Sequence, residues 1–396
     1  MSIELAGGAS TQSRARRPLP SGAVRAVTME TRGAYESVIL YRADGSQTRG
    51  LCLSWVIGQS GLLWGGGPFP FSLDDLENNV SGAYGHQVEY HLADALGKVY
   101  DGLLSSNDMS VRFFQNAGDA CSAAARVARA ATGRAHILSY GYHGAHLDYA
   151  HAPALEGIPH QAQQLHVNFQ DWQQCLPDHR MADYWQYTAV VLEVPPAHDS
   201  DMAAWLSAWR SYCDRTGAVM VLDDTVLGFR LALGGSSEYY GVKPDIVILG
   251  KAMSATGCVS AVLGRKDLVG RLADDVFYST TFGGAPGPCT IAASTVGWLT
   301  KNRAEVYGDG RPGYIRTIGQ ALKDGLNGVG VKVIGQPERS VAVFDGEDER
   351  RAWCSRMIEQ GVIVDRPFFP TLAHTLDDVS KTIEAAKFLQ GTKATA

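Results

Sequence analysis

The 396-residue sequence has no apolar run approaching the ~20 residues that a membrane-spanning helix needs. Its first residues, MSIELAGGASTQSRARRPLPSG, lack the apolar core of a signal peptide, and we interpret residues 1–20 as a mobile arm. The formal net charge of -6 supplies no basic stripe for nucleic acid or for an acidic membrane surface. We therefore expect neither a membrane partner nor a nucleic-acid partner.

Paired cysteines are also missing. The seven cysteines are an odd number, and none of them forms a Cys-x-x-Cys motif. Scattered, reduced thiols are typical of a cytoplasmic protein, and we predict that location. His143 and His146 are three residues apart, but no third ligand has a convincing spacing, so we predict no metal site.

Apolar runs and helical patterns alternate from residue 111 onward. Short apolar strands are predicted in VRFFQ, AHILSY, YTAVVLEV, AVMVLDD, DIVILGK and CVSAVLGR. Two predicted helices between them end at Gly133 and Gly217. Strands that are apolar throughout are covered on both faces, which indicates a mostly parallel sheet.

The fold class predicted from this pattern is α/β, with a large domain whose mostly parallel central sheet is flanked by helices. We assign residues 61–300 to this domain. Residues 36–56 read as a strand, an Asp-Gly turn and a second strand. Short strands and helical patterns fill residues 301–396, which we predict to form a smaller α+β domain, with residues 21–60 packed against it.

Two of the apolar strands end in opposite charges. Asp223 follows AVMVL, and Lys251 follows DIVILG. Ligands of open α/β sheets bind beyond the carboxyl ends of the strands. A buried lysine can act as a nucleophile and form a Schiff base, and a buried carboxylate needs a cationic partner such as a pyridinium ring. The pair suits pyridoxal phosphate, although a surface turn and a capping aspartate would leave the same pattern.

Two turns near the predicted sheet add to this pattern. Asn116, Ala117 and Gly118 lie between a strand and a helix, where exposed N–H groups can bind a phosphate; a plain capped helix has the same signature. Tyr142 follows another strand, and its ring could stack on a cofactor or fill a half-buried core position. These observations alone leave both interpretations open.

The ordered series NAGDA, YHG, VLDDTVLGFR, EYYGVKPDIVILGK and TTFGGAP resembles the class III aminotransferases among the fold-type I pyridoxal-phosphate enzymes. Within that group the sequence is most similar to the glutamate-1-semialdehyde aminomutases. The segment GFRLALGGSSEYYGVKPDIVILGK carries the most specific likeness, and the resemblance covers residues 20–390. It implies pyridoxal 5'-phosphate as the cofactor and residues 61–300 as the cofactor-binding domain.

The resemblance implies a role for each matching residue around the cofactor ring. Lys251 corresponds to the Schiff-base lysine, and Asp223 corresponds to the partner of the pyridine nitrogen. Tyr142 corresponds to the residue that stacks on the ring, with His143 in the same turn. Thr225 occupies the position where the family usually places a valine against the other ring face.

The resemblance also places the phosphate. Asn116, Ala117 and Gly118 lie where the family has Ser-Gly-Thr as the phosphate cradle. Thr281 corresponds to a threonine that reaches the phosphate of the neighbouring subunit. This implies a homodimer with shared active sites.

The substrate shell departs from the aminomutase pattern. Arg25 lies where the aminomutase presents an arginine to a substrate carboxylate, and Arg366 remains in a shortened C-terminal segment. Asp224 stands where relatives carry glutamate. We therefore predict an aminotransferase that acts on a small amino acid, amine or keto substrate through a Lys251 Schiff base. An aminomutase, an epimerase, a decarboxylase and a catalytically degenerate cofactor-binding homologue remain the alternatives.

Overall fold

The computed structural model describes residues 24–32, 34–42, 47–55, 86–144, 165–167, 177, 187–255, 258–365 and 367–393. The described residues form two compact units. The large unit holds those between residues 86 and 313, and the terminal unit holds those up to residue 55 and from residue 314 onward. The domain bounds given above, including the arm at residues 1–20 outside the described residues, remain predictions.

A seven-stranded sheet forms the centre of the large unit. Its strands are β4 (Met109–Phe114), β5 (Ile137–Tyr140), β6 (Leu165–Val167), β7 (Ala189–Leu192), β8 (Val219–Asp223), β9 (Ile246–Leu249) and β10 (Ser260–Arg265). Their order across the sheet is β4-β10-β9-β8-β7-β5-β6. Neighbouring strands from β9 to β6 are parallel, whereas β10 is antiparallel to both β9 and β4. The predicted α/β fold with a mostly parallel sheet is confirmed.

Helices accompany this sheet. They are α1 (Gln87–Val99), α2 (Ala117–Thr132), α3 (Asp199–Thr216), α4 (Gly235–Tyr240), α5 (Lys266–Val269), α6 (Pro286–Lys301) and α7 (Arg303–Tyr307). Both predicted helix ends are confirmed, because Gly133 and Gly217 adopt the left-handed conformation after α2 and α3.

The four central strands β5, β7, β8 and β9 are buried along their whole length, and the side chains of β8 alternate between two apolar clusters. Val219 and Val221 of β8 pack into the cluster that contains the alanines of α2. Met220 and Leu222 pack into the opposite cluster, with the tryptophans of α3. This two-residue period assigns each position of β8 to one face of the sheet, and it sets the environment of the residues that follow.

The terminal unit joins segments from both ends of the chain. Its strands are β1 (Val24–Arg32), β2 (Tyr35–Arg42), β3 (Gln47–Ser54), β11 (Val333–Gln336), β12 (Arg339–Ala342), β13 (Val362–Ile363) and β14 (Pro367–Phe368). Its helices are α8 (Tyr314–Gly328), α9 (Glu347–Glu359) and α10 (Leu376–Lys393). The two predicted strands are confirmed as the antiparallel pair β2 and β3, and the predicted Asp-Gly turn between them lies outside the described residues. The strand β1 was not predicted.

Two small sheets organise the terminal unit. One has the order β1-β2-β3-β13, with β13 parallel to β3, and the other has the order β11-β12-β14. The buried Trp55 stacks on His374 with ring centroids 4.1 Å apart, and its indole N–H donates to Thr382 at 2.7 Å. These contacts join the two ends of the chain in one core.

In the described part of the chain, no helix combines the length and the apolar character needed to cross a membrane.

Candidate active site

Asp223 is the last residue of β8 and continues its alternation. It follows Val219 and Val221 at the same two-residue spacing, so its side chain turns to the sheet face that α2 covers. Cys121 of α2 lies there, with its Sγ 3.6 Å from Asp223 Oδ2. The carboxyl group is thus held inside the protein, and only 4% of the residue is exposed.

Hydrogen bonds reach both oxygens of this carboxyl group. Thr225 donates to Oδ1 from its backbone N–H at 3.1 Å and from its hydroxyl at 2.5 Å. His143 Nδ1 lies 2.7 Å from Oδ2. His143 Nε2 lies 2.9 Å from the carbonyl oxygen of Tyr140, which can only accept, so Nε2 carries a proton.

These contacts decide the charge of Asp223. Burial opposes ionisation, but the hydrogen bond and charge of His143 and the two hydrogen bonds from Thr225 outweigh it and lower the pKa of Asp223 below its ordinary value. The site therefore holds a buried carboxylate beside a histidine.

Lys251 follows the neighbouring strand. β8 and β9 are parallel, and Asp223 pairs with Ile248, three residues before Lys251. Both side chains therefore belong to the carboxyl-terminal edge of the same sheet. The lysine is partly buried and has a φ of 41°, one of two positive φ values among the described non-glycine residues. A side chain in this strained region is common at functional sites.

A turn after β5 brings Tyr142 and His143 to the same edge. Gly141 has a φ of 104°, and a Cβ built on it would lie 2.5 Å from Glu193 Cβ, so glycine is required there. The buried Glu193, which follows β7, accepts a hydrogen bond from the Tyr142 backbone N–H at 3.0 Å. Tyr142 is 60% exposed, so its ring is accessible to a ligand.

The N-terminus of α2 lies beside this edge. Asn116 is its N-cap residue: its Oδ1 accepts from the Asp119 N–H at 2.9 Å, and its Nδ2 donates to the Asp119 carboxylate at 2.6 Å. The side chain of Asn116 is therefore occupied by capping. The N–H groups of Ala117 and Gly118 belong to the first turn, where a helix offers no internal acceptor and an anion can bind.

Asp224 lies on the other side of β8 from Asp223. Its carboxyl oxygens accept from the N–H of Ser236 at 2.8 Å and from its hydroxyl at 2.5 Å. Burial and, to a smaller extent, the charges of Asp223 and Glu193 together raise the pKa of Asp224 to about 7 against these hydrogen bonds. The pKa values of the two adjacent aspartates are therefore shifted in opposite directions, because their carboxyl groups have different surroundings.

Three predicted residues belong to other segments of the chain. Thr281 is exposed in the segment before α6. Arg25 lies in β1 of the terminal unit, where its backbone pairs with Tyr41. Arg366 lies outside the described residues.

Two residues of the site were missed from the sequence. Glu193 ends the apolar run TAVVL, so the strand-end criterion that found Asp223 and Lys251 could have found it too. Nothing in the sequence marks Cys121, because its proximity to Asp223 arises from packing across 102 positions.

The sulfur of Cys121, a ring nitrogen of His143 and a carboxylate oxygen of Asp223 lie within 4.8 Å of one another. Such a set could hold a metal ion, while the absence of a metal stays a prediction. The site also fits pyridoxal phosphate: Asp223 is a buried, ionised partner for a pyridinium nitrogen, Lys251 offers an amine at the same edge, and α2 offers N–H groups for a phosphate.

Known proteins share this architecture. The family model for class III aminotransferases matches residues 197–366. The FumI protein of Sphingopyxis sp. MTA144, solved in its PLP internal aldimine form, superposes with a TM-score of 0.76 at 23% identity, covering 97% of this chain and 91% of that chain. This likeness establishes the fold.

Two curated relatives extend the comparison. The glutamate-1-semialdehyde 2,1-aminomutase of Methanopyrus kandleri is 28% identical over 426 residues, which cover 96% of this chain and 93% of that protein. The aminopentol aminotransferase of Sphingopyxis macrogoltabida is 30% identical over 315 residues, which cover 73% of this chain and 71% of that protein. The chain therefore belongs to the class III aminotransferases and is a pyridoxal-phosphate-dependent enzyme.

Proposed function

We propose that this enzyme transfers an amino group between a small amino acid or amine and a keto compound, with Lys251 and Asp223 as its catalytic pair. The observation that carries the proposal is their placement after neighbouring parallel strands, with Asp223 buried and ionised. When bound, pyridoxal phosphate forms a carbon–nitrogen double bond with an amine and withdraws electrons from the bonds of the amine-bearing carbon.

The protein side chains divide the remaining tasks. Asp223 would keep a proton on the pyridine nitrogen, and the hydrogen bond from His143 favours the ionised form of Asp223. Lys251 Nζ would hold the cofactor through its aldehyde group. After a substrate amine has taken that place, the free Lys251 amine would take the proton from the amine-bearing carbon of the substrate and deliver it to the cofactor.

We also assign the binding of the cofactor to residues at this edge of the sheet. The first-turn N–H groups of Ala117 and Gly118 support the assignment of this turn as the phosphate cradle. Tyr142 is proposed to stack on one ring face and Thr225 to contact the other. Arg25 and Arg366 are proposed to bind a carboxylate of the substrate, as the family resemblance implies for Arg25.

A covalent-labelling experiment tests the role of Lys251. Borohydride reduction of the enzyme with bound cofactor should add the cofactor mass to the peptide that contains Lys251. Lys251→Ala should lose both this label and turnover, whereas Lys266→Ala, a change at an exposed lysine of α5, should keep both. A label on any other lysine, or normal turnover of Lys251→Ala, would contradict the assignment.

Amino-group migration within one molecule is a second candidate, and the likeness to the Methanopyrus kandleri aminomutase over 96% of the chain favours it. The two reactions differ in their need for a second substrate. Transamination requires a keto acceptor, whereas migration proceeds without one. Product analysis for a panel of amino acids, with and without a keto acid, separates them.

We further propose a cytoplasmic homodimer with shared active sites. The six described cysteines are all free thiols, which suits a reducing compartment. Two phenylalanines near the proposed phosphate ligand Thr281 are unusually exposed, Phe277 at 82% and Phe282 at 55%, as expected of a surface that a second copy covers.

Subunit complementation tests the shared sites. Lys251→Ala and Thr281→Asp should each be inactive as homodimers, the second because a carboxylate repels the phosphate. Subunits mixed at random should recover about a quarter of wild-type activity, because half of the dimers are hybrids and each hybrid has one intact site. A monomer in solution, or a mixture without activity, would refute the shared-site dimer.

A further inference from the structure

Thr225 divides its two side-chain branches between different neighbours. Its hydroxyl donates to Asp223 Oδ1 at 2.5 Å. Its Cγ2 methyl points toward the residue before Lys251, since a Cβ built on Gly250 would lie 3.4 Å from it. A β-branched side chain has a stiff χ1 angle, so both contacts are made by one rotamer.

The hydrogen bond from the Thr225 hydroxyl restrains the χ2 angle of Asp223. The χ2 angle of an aspartate is broad and roughly two-fold, so a carboxylate rotates unless both oxygens are held. His143 and Cys121 approach Oδ2 of Asp223, whereas in the described part of the structure Oδ1 is held by Thr225 alone, through its backbone N–H at 3.1 Å and more closely through its hydroxyl at 2.5 Å. A hydrogen bond to an ionised oxygen is shorter and stronger than one between neutral groups.

We propose that the Thr225 hydroxyl is a positioning group that fixes the rotation of the Asp223 carboxylate and thereby strengthens its hold on the pyridine nitrogen. The inference rests on the proposed role of Asp223 at that nitrogen. It assigns Thr225 a task that the valine usual at this position, which lacks a hydroxyl, does not perform.

A pair of substitutions separates the hydroxyl from the shape of the side chain. Thr225→Val keeps the branched shape and removes the donor, whereas Thr225→Ser keeps the donor and removes the methyl group. We expect Thr225→Val to raise the cofactor dissociation constant about tenfold, as for the loss of a hydrogen bond to a charged group, and Thr225→Ser to stay within about twofold of wild type. Equilibrium dialysis measures the constant independently of turnover.

A double-mutant cycle tests whether Thr225 acts through Asp223. In an Asp223→Asn background, Thr225→Val should change the dissociation constant by less than about twofold, because the charged acceptor is gone. An unchanged tenfold effect in that background would overturn the inference. So would the reverse order of the single variants, with Thr225→Ser impaired and Thr225→Val close to wild type.

The Asp223→Asn variant also separates this inference from the proposed function. If Asp223→Asn binds cofactor and turns over like wild type, the proposed role of Asp223 is wrong. If Asp223→Asn is impaired while Thr225→Val matches wild type, only the proposed role of the Thr225 hydroxyl is wrong. Circular dichroism of each variant confirms that the fold is retained.

Discussion

At the residue scale, three buried aspartates of the central sheet have different partners. Asp245 accepts from Arg210 at 2.9 Å and from Arg265 at 3.3 Å, and these ion pairs compensate its burial. Asp223 has His143. For the third, Asp224, the described part of the structure contains no ion pair, and its hydrogen bonds come from one serine. The three carboxyl groups therefore differ in partner: two arginines for Asp245, a histidine for Asp223 and a serine for Asp224.

Asp224 predicts a pH dependence of stability. Its pKa is raised from an ordinary value of 3.8 to about 7, so the folded chain keeps a proton that the unfolded chain loses. Its stabilising contribution is complete below about pH 4 and is lost as the pH rises through about 7. We expect the free energy of unfolding of wild type to decrease over this window and that of Asp224→Asn to decrease less.

Urea titrations across this window measure the difference. An asparagine imitates the protonated acid, because its oxygen accepts from the Ser236 N–H and its amide donates to the Ser236 hydroxyl. Asp309→Asn, at an exposed position, should follow wild type. Parallel curves for Asp224→Asn and wild type would contradict the prediction.

From the residues alone, the sequence indicates the two charged members of the proposed site because both end strands. Asp223 and Lys251 could be found because each terminates an apolar run, and parallel strands end at a common edge. The ionisation of Asp223 could not be predicted, because it depends on His143, 80 positions away. The hydrogen-bond partner of Asp224 could not be predicted either, because Ser236 lies 12 positions further along the chain.

At the element scale, the helix α2 packs closely against the sheet and is also proposed to bind a phosphate at its N-terminus. Its alanines allow close packing against the sheet, and all eight residues of Ala120–Ala125, Val127 and Ala128 are buried. Its N-terminus must stay open if it binds a phosphate. Asn116 meets both demands, because it caps the helix through Asp119 while the first-turn N–H groups of Ala117 and Gly118 stay available for an anion.

Removing this cap should destabilise the large unit. We expect Asn116→Ala to lower the free energy of unfolding by about 1 kcal/mol, and Asn116→Ser to restore most of it, since serine is also a good N-cap. His198 is a matched control, because it is the N-cap residue of α3 but makes no side-chain capping bond. A loss for His198→Ala as large as for Asn116→Ala would contradict the assignment.

Six of the seven strands of the large unit and the helices α2 and α3 were predictable because apolar runs and terminal glycines mark them, whereas β6 and α4 to α7 were not predicted. β1 was missed because VRAVTMETR mixes charges with apolar residues and carries no clear alternation. The hydrogen bond between Trp55 and Thr382 could not be predicted either, since it joins positions 327 residues apart. Long-range pairing leaves no local pattern in a single sequence.

At the scale of the whole molecule, the described residues of the proposed cofactor site lie in one unit. Asn116 to Gly118, Tyr142, His143, Asp223, Thr225 and Lys251 all belong to the large unit. A ligand stabilises only the structure that its binding requires. Removal of the cofactor should therefore affect the large unit directly.

Hydrogen exchange followed by mass spectrometry tests this expectation. Cofactor at about 100 times its dissociation constant should stabilise the folded site by about 2.7 kcal/mol, and peptides from residues 219–251 should gain protection. Peptides from residues 314–363 of the terminal unit are the internal control. Protection confined to the control peptides would place the cofactor elsewhere.

The positive φ of Lys251 has a consequence for selection on this sequence. A side chain at such a φ costs on the order of 1–2 kcal/mol, which glycine avoids. A chain selected for stability alone would carry glycine here. In cofactor-free enzyme, Lys251→Gly is accordingly expected to be at least as stable as Lys251→Ala, the reverse of the usual order, although both are inactive. If Lys251→Ala proves clearly more stable than Lys251→Gly, the backbone at this position is not strained. If it does not, the lysine lowers the stability of the fold and is kept for its chemistry.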